Sequence, residues 1–325
     1  MTGPILRVED LHVWFDLEGG GELHAVQGIG FALTEGERFA LVGESGCGKT
    51  TAILAMMGLL PPSASLAGVV ELAGTNILER GEESVSAYRW KDISMVFQGA
   101  MNAFNPVKRI GDQIAQPMEL HGIAEGKAAQ HQVEELLELV GIAKVRASQY
   151  PHEFSGGMRQ RAAIAMALAC RPKVLLADEP TTALDVMVQA QILQLLVNLC
   201  RDLGLTLIMV THDLAVVAQT CDRAAVMYAG RLVEIGSIDA LYHDPRHPYT
   251  RLLFEATPDL GGEGAVASIP GAPPRLDHVL AGCPFAPRCD QVFEPCTTVA
   301  PRHLTVGPEH EAECHLNDDA VRAAG

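Results

Sequence analysis

The nine residues GESGCGKTT, Gly43–Thr51, decide the fold. They have the spacing G-x-x-x-x-G-K-[ST], with the apolar run RFALV before them and the helix-forming AILAMMGLL after. A strand that ends in glycines and then opens a helix gathers backbone N–H groups at a helix N-terminus, where the dipole favours an anion. Gly43, Gly46 and Gly48 let the backbone turn its amides toward a triphosphate, and Glu44, Ser45, Cys47 and Thr51 complete the loop. In this pattern Lys49 reaches the β- and γ-phosphates and Thr50 the Mg²⁺ ion. ATP with Mg²⁺ is therefore the expected ligand. Cys47 stands at the helix start beside Lys49, so its thiol is expected to have a lowered pKa and to be reactive.

Downstream, KVLLADEP places two carboxylates at the end of an apolar strand. Asp178 can complete a Mg²⁺ shell, and Glu179 can polarise a water at the γ-phosphate. Upstream of that strand, FSGGMRQRAAIAMALA puts Ser155, Gly156 and Gly157 at the mouth of an amphipathic helix. Ser155 there suits an N-cap, and the same geometry suits a second anion. Two phosphate-binding helix starts in one chain make sense if they serve different ATP molecules in a dimer.

The whole chain has 325 residues, 48% of them hydrophobic and 20% charged, with a net charge of −16. That excess of acid argues against a general nucleic-acid binder, which needs Lys and Arg against phosphate backbones. The start MTGPILRVEDLHVWF lacks the basic and apolar regions of a signal peptide, and the longest clean apolar run, Ala162–Cys170, is too short to span a bilayer. A reducing, intracellular setting is expected, in which clustered cysteines favour metal over disulfides. Four stretches are expected: 1–98, short strands with glycine turns around the phosphate loop; 99–157, helical, with VEELLELV at helix spacing; 158–240, a return to alternating helices and strands that ends in the hairpin AAVMYAGRLVEIG; and 241–325, rich in proline and glycine before the cysteines.

The motifs together resemble the nucleotide-binding subunit of an ATP-binding cassette (ABC) transporter. GESGCGKTT is similar to Walker A, FSGGMRQR to the family signature, VLLADEP to Walker B and TTALD, ending at Asp185, to the D-loop. Gln98 in MVFQ matches the Q-loop, His212 in VTHD the switch histidine, and Phe15 in VWF the aromatic that stacks on adenine. The resemblance implies an α/β fold of the P-loop NTPase, RecA-like type, with an antiparallel β-subdomain, an inserted helical subdomain and a Cys-containing C-terminal extension. It implies Glu179 and His212 as catalytic residues, with Thr50, Gln98 and Asp178 around Mg²⁺. Ser155, Gly156, Gly157 and Asp185 would act across a cassette dimer.

FNPVKRIGDQI, YPHEFSGGMRQR, TTALDVMVQAQIL, HPYTRLL and IPGAPP narrow the resemblance to the dipeptide/oligopeptide importer ATPases, a group that also serves nickel and other solutes. Implied partners are two transmembrane permease subunits, a second, paralogous ATPase and, indirectly, an extracytoplasmic solute-binding protein. The implied place is the cytoplasmic face of a bacterial inner membrane. A soluble ABC ATPase of DNA repair or translation is the alternative. However, only 105 residues separate Lys49 from Ser155, without heptads, and the chain holds one cassette.

Four of the eight cysteines, Cys283, Cys289, Cys296 and Cys314, stand in the last 43 residues with the spacing C-x5-C-x6-C-x17-C. The C-x2-C knuckle of structural zinc is missing. Four thiolates could hold a [4Fe–4S] cluster, and the resemblance implies one in this tail; zinc and free thiols are the alternatives. His303, His310 and His315 are possible substitute ligands. Asp290 stands where relatives often have proline, a change that loosens the turn after Cys289. Cys170, Cys200 and Cys221 read as small buried hydrophobes. The tail is expected to lie apart from the phosphate loop, so that loss of the cluster barely touches nucleotide binding.

Overall fold

In chain order the elements of the computed structural model are strands β1 (Leu6–Asp16), β2 (Glu22–Leu33) and β3 (Arg38–Val42), helix α1 (Lys49–Met56), β4 (Ala64–Leu72), β5 (Thr75–Asn76), α2 (Glu82–Ser86), β6 (Ile93–Val96), α3 (Ile110–Leu120), α4 (Gly126–Leu139) and α5 (Gly156–Ala167). There follow β7 (Val174–Asp178), α6 (Val186–Leu203), β8 (Thr206–Thr211), α7 (Leu214–Thr220), β9 (Arg223–Tyr228), β10 (Arg231–Ser237), α8 (Ile238–His243), α9 (Pro248–Glu255), β11 (His303–Gly307), β12 (His310–Glu313) and α10 (Asp319–Arg322). The structure describes residues 3–17, 19–99, 103–256, 269–276 and 280–322. The chain separates into two compact units. Among the described residues no helix is long and apolar enough to cross a membrane.

The first unit comprises residues 1–6, 33–38 and 72–209. Its strands β6 and β7 run parallel, with Val96 opposite Ala177. Every residue of both is buried, the pattern of a strand covered on both faces. Helix α4 buries Ala129, Val133, Leu136 and Leu137, the i, i+4, i+7, i+8 stripe that 3.6 residues per turn dictates. Helix α5 starts at the cap residue Ser155, whose hydroxyl accepts from the Met158 N–H at 3.3 Å. The chain of α5 passes close to α6: a methyl placed on Gly157 would lie 2.5 Å from Val188 Cγ1.

The second unit comprises residues 7–32, 39–71 and 210–325. It contains strands in the order β2-β1-β4 and, separately, β11-β12-β10-β9-β3. Strand β3 is parallel to β9, and β9 turns back into β10 as the antiparallel hairpin. The C-terminal tail continues the sheet: β12 pairs antiparallel with β10, Glu234 opposite Ala312, and β11 pairs with β12. Buried Glu234 fixes this junction. Its carboxylate accepts from the backbone N–H groups of Arg246 and His247 at 2.7 and 2.8 Å and pairs with His310 Nε2 at 2.7 Å. Three donors held in fixed positions offset the burial of this carboxyl group.

Candidate active site

The phosphate loop runs from the end of β3 to the start of α1. Glycine is required at two of its turns. Gly43 has φ +150°, and a Cβ there would sit 2.1 Å from the Met227 carbonyl oxygen. Gly48 has φ +107°, and a Cβ would sit 2.5 Å from the Ala25 carbonyl oxygen. Gly48 is also the N-cap of α1 and offers no side chain to the first N–H groups, which suits an incoming anion. Lys49 is buried, and its ammonium donates to the carbonyls of Gly43 at 2.8 Å and Glu44 at 2.9 Å. Ser45, Gly46 and Thr50 face solvent.

Cys47 departs from expectation. Its side chain is 5% exposed, and burial pushes the thiol pKa up in spite of the Lys49 ammonium 3.6 Å from the sulfur. Desolvation of a thiolate outweighs one nearby cation here. The thiol fills the loop's interior and is not poised to react.

In the first unit, parallel pairing of β6 and β7 brings two expected residues together. Gln98 and Glu179 lie two residues beyond the partners Val96 and Ala177, at the carboxyl ends where α/β sheets bind ligands. Gln98 Nε2 donates to Glu179 Oε2 at 2.8 Å, and Thr182 Oγ1 donates to the same oxygen at 2.9 Å. Glu179 holds φ +43°, an uncommon backbone state for a residue with a side chain, and it points its carboxylate at these donors. Asp178, one residue earlier, is 2% exposed at the strand end. Asp185 caps α6 through the Val188 N–H at 3.0 Å. In the second unit, His212 follows β8 and is exposed, and Phe15 is half-buried near the end of β1. Its neighbour Trp14 stacks on His24, with ring centres 4.7 Å apart and 18° between the planes, and on His12 of the same strand.

Two residues that sequence spacing did not point to also hold the phosphate loop. Tyr249 of α9 accepts the Glu44 N–H at 2.9 Å, and burial raises its phenol pKa well above the usual range. Arg288, from the cysteine-rich tail, binds the Glu44 carboxylate through both guanidinium ends at 2.6 and 3.0 Å. The expected remoteness of the tail is thereby overturned. Strand β12 anchors the tail on β10, and that anchoring lets it reach the loop 244 residues earlier.

Family comparison agrees with this geometry. The family profile described as "ABC transporter" matches residues 26–182, and that for "Oligopeptide/dipeptide transporter, C-terminal region" matches residues 233–296. The dipeptide transport ATP-binding protein DppD of Bacillus subtilis is 45% identical over 325 residues, 98% of this chain and 97% of its own. This chain belongs to the ABC transporter family. The oligopeptide transport ATP-binding protein OppD of Salmonella typhimurium is 46% identical over 300 residues, 91% of this chain and 89% of its own. Among solved structures, the dimeric post-hydrolysis state of the ATP-binding cassette MJ0796 bound to ADP and Pi aligns with a TM-score of 0.64. That alignment has 26% identity and covers 72% of this chain and 98% of that one. The protein is thus an ABC ATPase with the α/β cassette fold.

The tail of this ABC ATPase brings Cys283, Cys289, Cys296 and Cys314 to the wall of one small cavity with His247, Phe285 and His315. All eight cysteines are free thiols. Burial pushes the Cys283 thiol up to about 11 and the Cys314 thiol up to about 12, and the neighbouring cysteines add to both shifts. Among the described residues no three His, Cys, Asp or Glu side chains gather as ligands of a single metal ion. The four-thiol metal centre expected from the sequence is therefore not assembled as one coordination sphere; the thiols share a cavity wall. The substitute ligands fare no better. His310 is committed to Glu234, His303 lies 3.4 Å from Glu313, and His315 Nε2 is bonded to the Val299 carbonyl. Asp290 accepts from Arg251 at 2.5 Å, a side-chain bond that proline could not make. Cys170, Cys200 and Cys221 are buried as expected.

His247 supplies a polar feature of this cavity that the sequence had not singled out. It is 1% exposed, and its Nδ1 accepts from the Tyr249 N–H at 3.0 Å, which leaves the proton on Nε2. That buried Nε2 has no partner among the described residues. Burial drives its pKa down to about 3, so the ring is neutral and its one N–H lacks an acceptor.

Proposed function

We propose that this ABC ATPase is the motor subunit of an importer for di- or oligopeptides. The observation that carries the proposal is near full-length similarity to DppD and OppD, proteins named for dipeptide and oligopeptide transport, which includes the tail profile over 233–296. The working assembly has two transmembrane permease subunits and a second, paralogous ATPase at the cytoplasmic face of the membrane. An extracytoplasmic binding protein delivers the peptide. ATP lies on Gly43–Thr51, with Phe15 against adenine and Thr50, Gln98 and Asp178 around Mg²⁺. Ser155, Gly156 and Gly157 address the ATP of the opposite cassette, and Asp185 signals across the interface. Glu179 takes a proton from the attacking water, and His212 supports the γ-phosphate; the Gln98 and Thr182 hydrogen bonds support this role by fixing the carboxylate.

The tail thiols are proposed to hold a [4Fe–4S] cluster. Support comes from the donor set, four thiols on one cavity wall, and from the orphaned His247 N–H, which needs an acceptor such as cluster or thiolate sulfur. The cluster would pin the tail and supplies no step of hydrolysis.

The test is ATPase activity of the assembled complex in lipid. Binding protein loaded with di- or oligopeptide is expected to stimulate phosphate release severalfold over the empty binding protein. Stimulation by a nickel-loaded binding protein alone, or activity indifferent to any binding protein, would overturn the cargo or the importer reading respectively.

A further inference from the structure

Glu44 is anchored at all three of its polar groups. Its N–H donates to Tyr249 Oη at 2.9 Å, its carbonyl accepts from Lys49 Nζ at 2.9 Å, and its carboxylate is gripped by Arg288. The Arg288 side chain is 4% exposed, and its direction is fixed by the tail and by Tyr228 of β9. Arg288 Nε donates to the Pro270 carbonyl at 2.7 Å, Nη1 donates to Tyr228 Oη at 3.3 Å, and the group lies 5.8 and 5.9 Å from the Tyr228 and Phe285 ring centres. A bidentate, mostly desolvated pair of this kind specifies position as well as charge.

Charge gives the contact a purpose. A loop built to receive a triphosphate gains nothing from an unpaired carboxylate of its own, because like charges repel. Arg288 cancels that charge and, through Glu44, fixes the carbonyl on which the Lys49 ammonium rests. We propose that Arg288 is a positioning residue of the ATP site, holding and neutralising Glu44 so that the phosphate loop and Lys49 stand in their nucleotide-binding arrangement. The inference rests on the reading of Gly43–Thr51 as the ATP loop.

The test is a charge cycle on the full-length protein, read as the Kd of a fluorescent ATP analogue and, in the assembled transporter, as the split between KM and kcat. Arg288→Ala leaves an uncompensated carboxylate and is expected to weaken binding by on the order of tenfold, mainly in KM. Glu44→Gln removes the charge that Arg288 pairs with, and its own Kd is the reference against which the double variant is read. The double variant Arg288→Ala/Glu44→Gln is expected to recover to within about threefold, and Arg288→Lys to fall between Ala and the parent. A merely structural Arg288 would show no recovery in the double variant. That outcome, or parental affinity in Arg288→Ala, overturns the proposal. Lys49→Ala separates the two readings. If it also binds ATP like the parent, the loop assignment itself fails; if it binds weakly while Arg288→Ala does not, only this inference fails.

Discussion

Replacing Glu179 by Gln isolates the chemistry from the architecture. Glu179 Oε2 accepts two hydrogen bonds, from Gln98 at 2.8 Å and Thr182 at 2.9 Å. The amide oxygen of glutamine can accept both, and the side chains have the same size, so the positive φ of residue 179 and its neighbours are undisturbed. The ground-state cost is therefore small, below about 1 kcal/mol. What disappears is the proton acceptor. A positioned general base contributes roughly 10²–10⁴ in rate, which is about 3–5 kcal/mol of barrier. Single-turnover phosphate release from the assembled transporter is expected to slow by that factor while ATP affinity stays within about twofold, leaving ATP-bound complexes that persist. Phosphate release within about threefold of the parent would refute Glu179 as the base. A large loss of ATP affinity would refute the claim that its hydrogen-bonded setting survives the change.

Cys47, buried and with its pKa raised, is expected to resist maleimide near pH 7; mass spectrometry of the modified thiols should show faster labelling only as pH rises past the usual cysteine range. Gly157→Ala forces a methyl to within 2.5 Å of Val188 Cγ1 and is expected to destabilise the chain by about 1–3 kcal/mol in denaturant titration, more than Ala at an ordinary helix glycine. Anaerobically purified protein is expected to be brown, with about four irons per chain, and Cys289→Ser to lose that colour. Because Arg288 adjoins Cys289, this variant should also weaken ATP binding, measured on the same sample; stoichiometric zinc without iron would sink the cluster.

The parts legible in the sequence are those written in local chemistry. Glycines at 43 and 48 announce a turn that no other residue fits, the unbroken run Val174–Ala177 announces a strand covered on both faces, and the stripe in α4 follows from helix period alone. The pairing of Gln98 with Glu179 was within reach once two parallel strands were assumed, since both residues sit just past the strand ends. What escaped was non-local. No spacing tells that Arg288 meets Glu44, because the contact depends on β12 joining the edge of β10. Cys47 misled for a related reason: dipole and lysine are visible in sequence, but desolvation by the surrounding core is not, and desolvation is the larger effect. At β1, strand parity puts Trp14 and Phe15 on opposite faces, yet only the fold shows that His24 lies beside Trp14.

Whether this chain powers peptide import is decided by uptake into proteoliposomes. The complete complex is reconstituted with ATP enclosed, and binding protein with labelled di- or oligopeptide is supplied outside. Peptide is expected to accumulate in a manner that requires ATP hydrolysis and vanishes with Lys49→Ala. Peptide entry that is indifferent to Lys49→Ala, or ATP-driven accumulation of another solute with none of peptide, would contradict it.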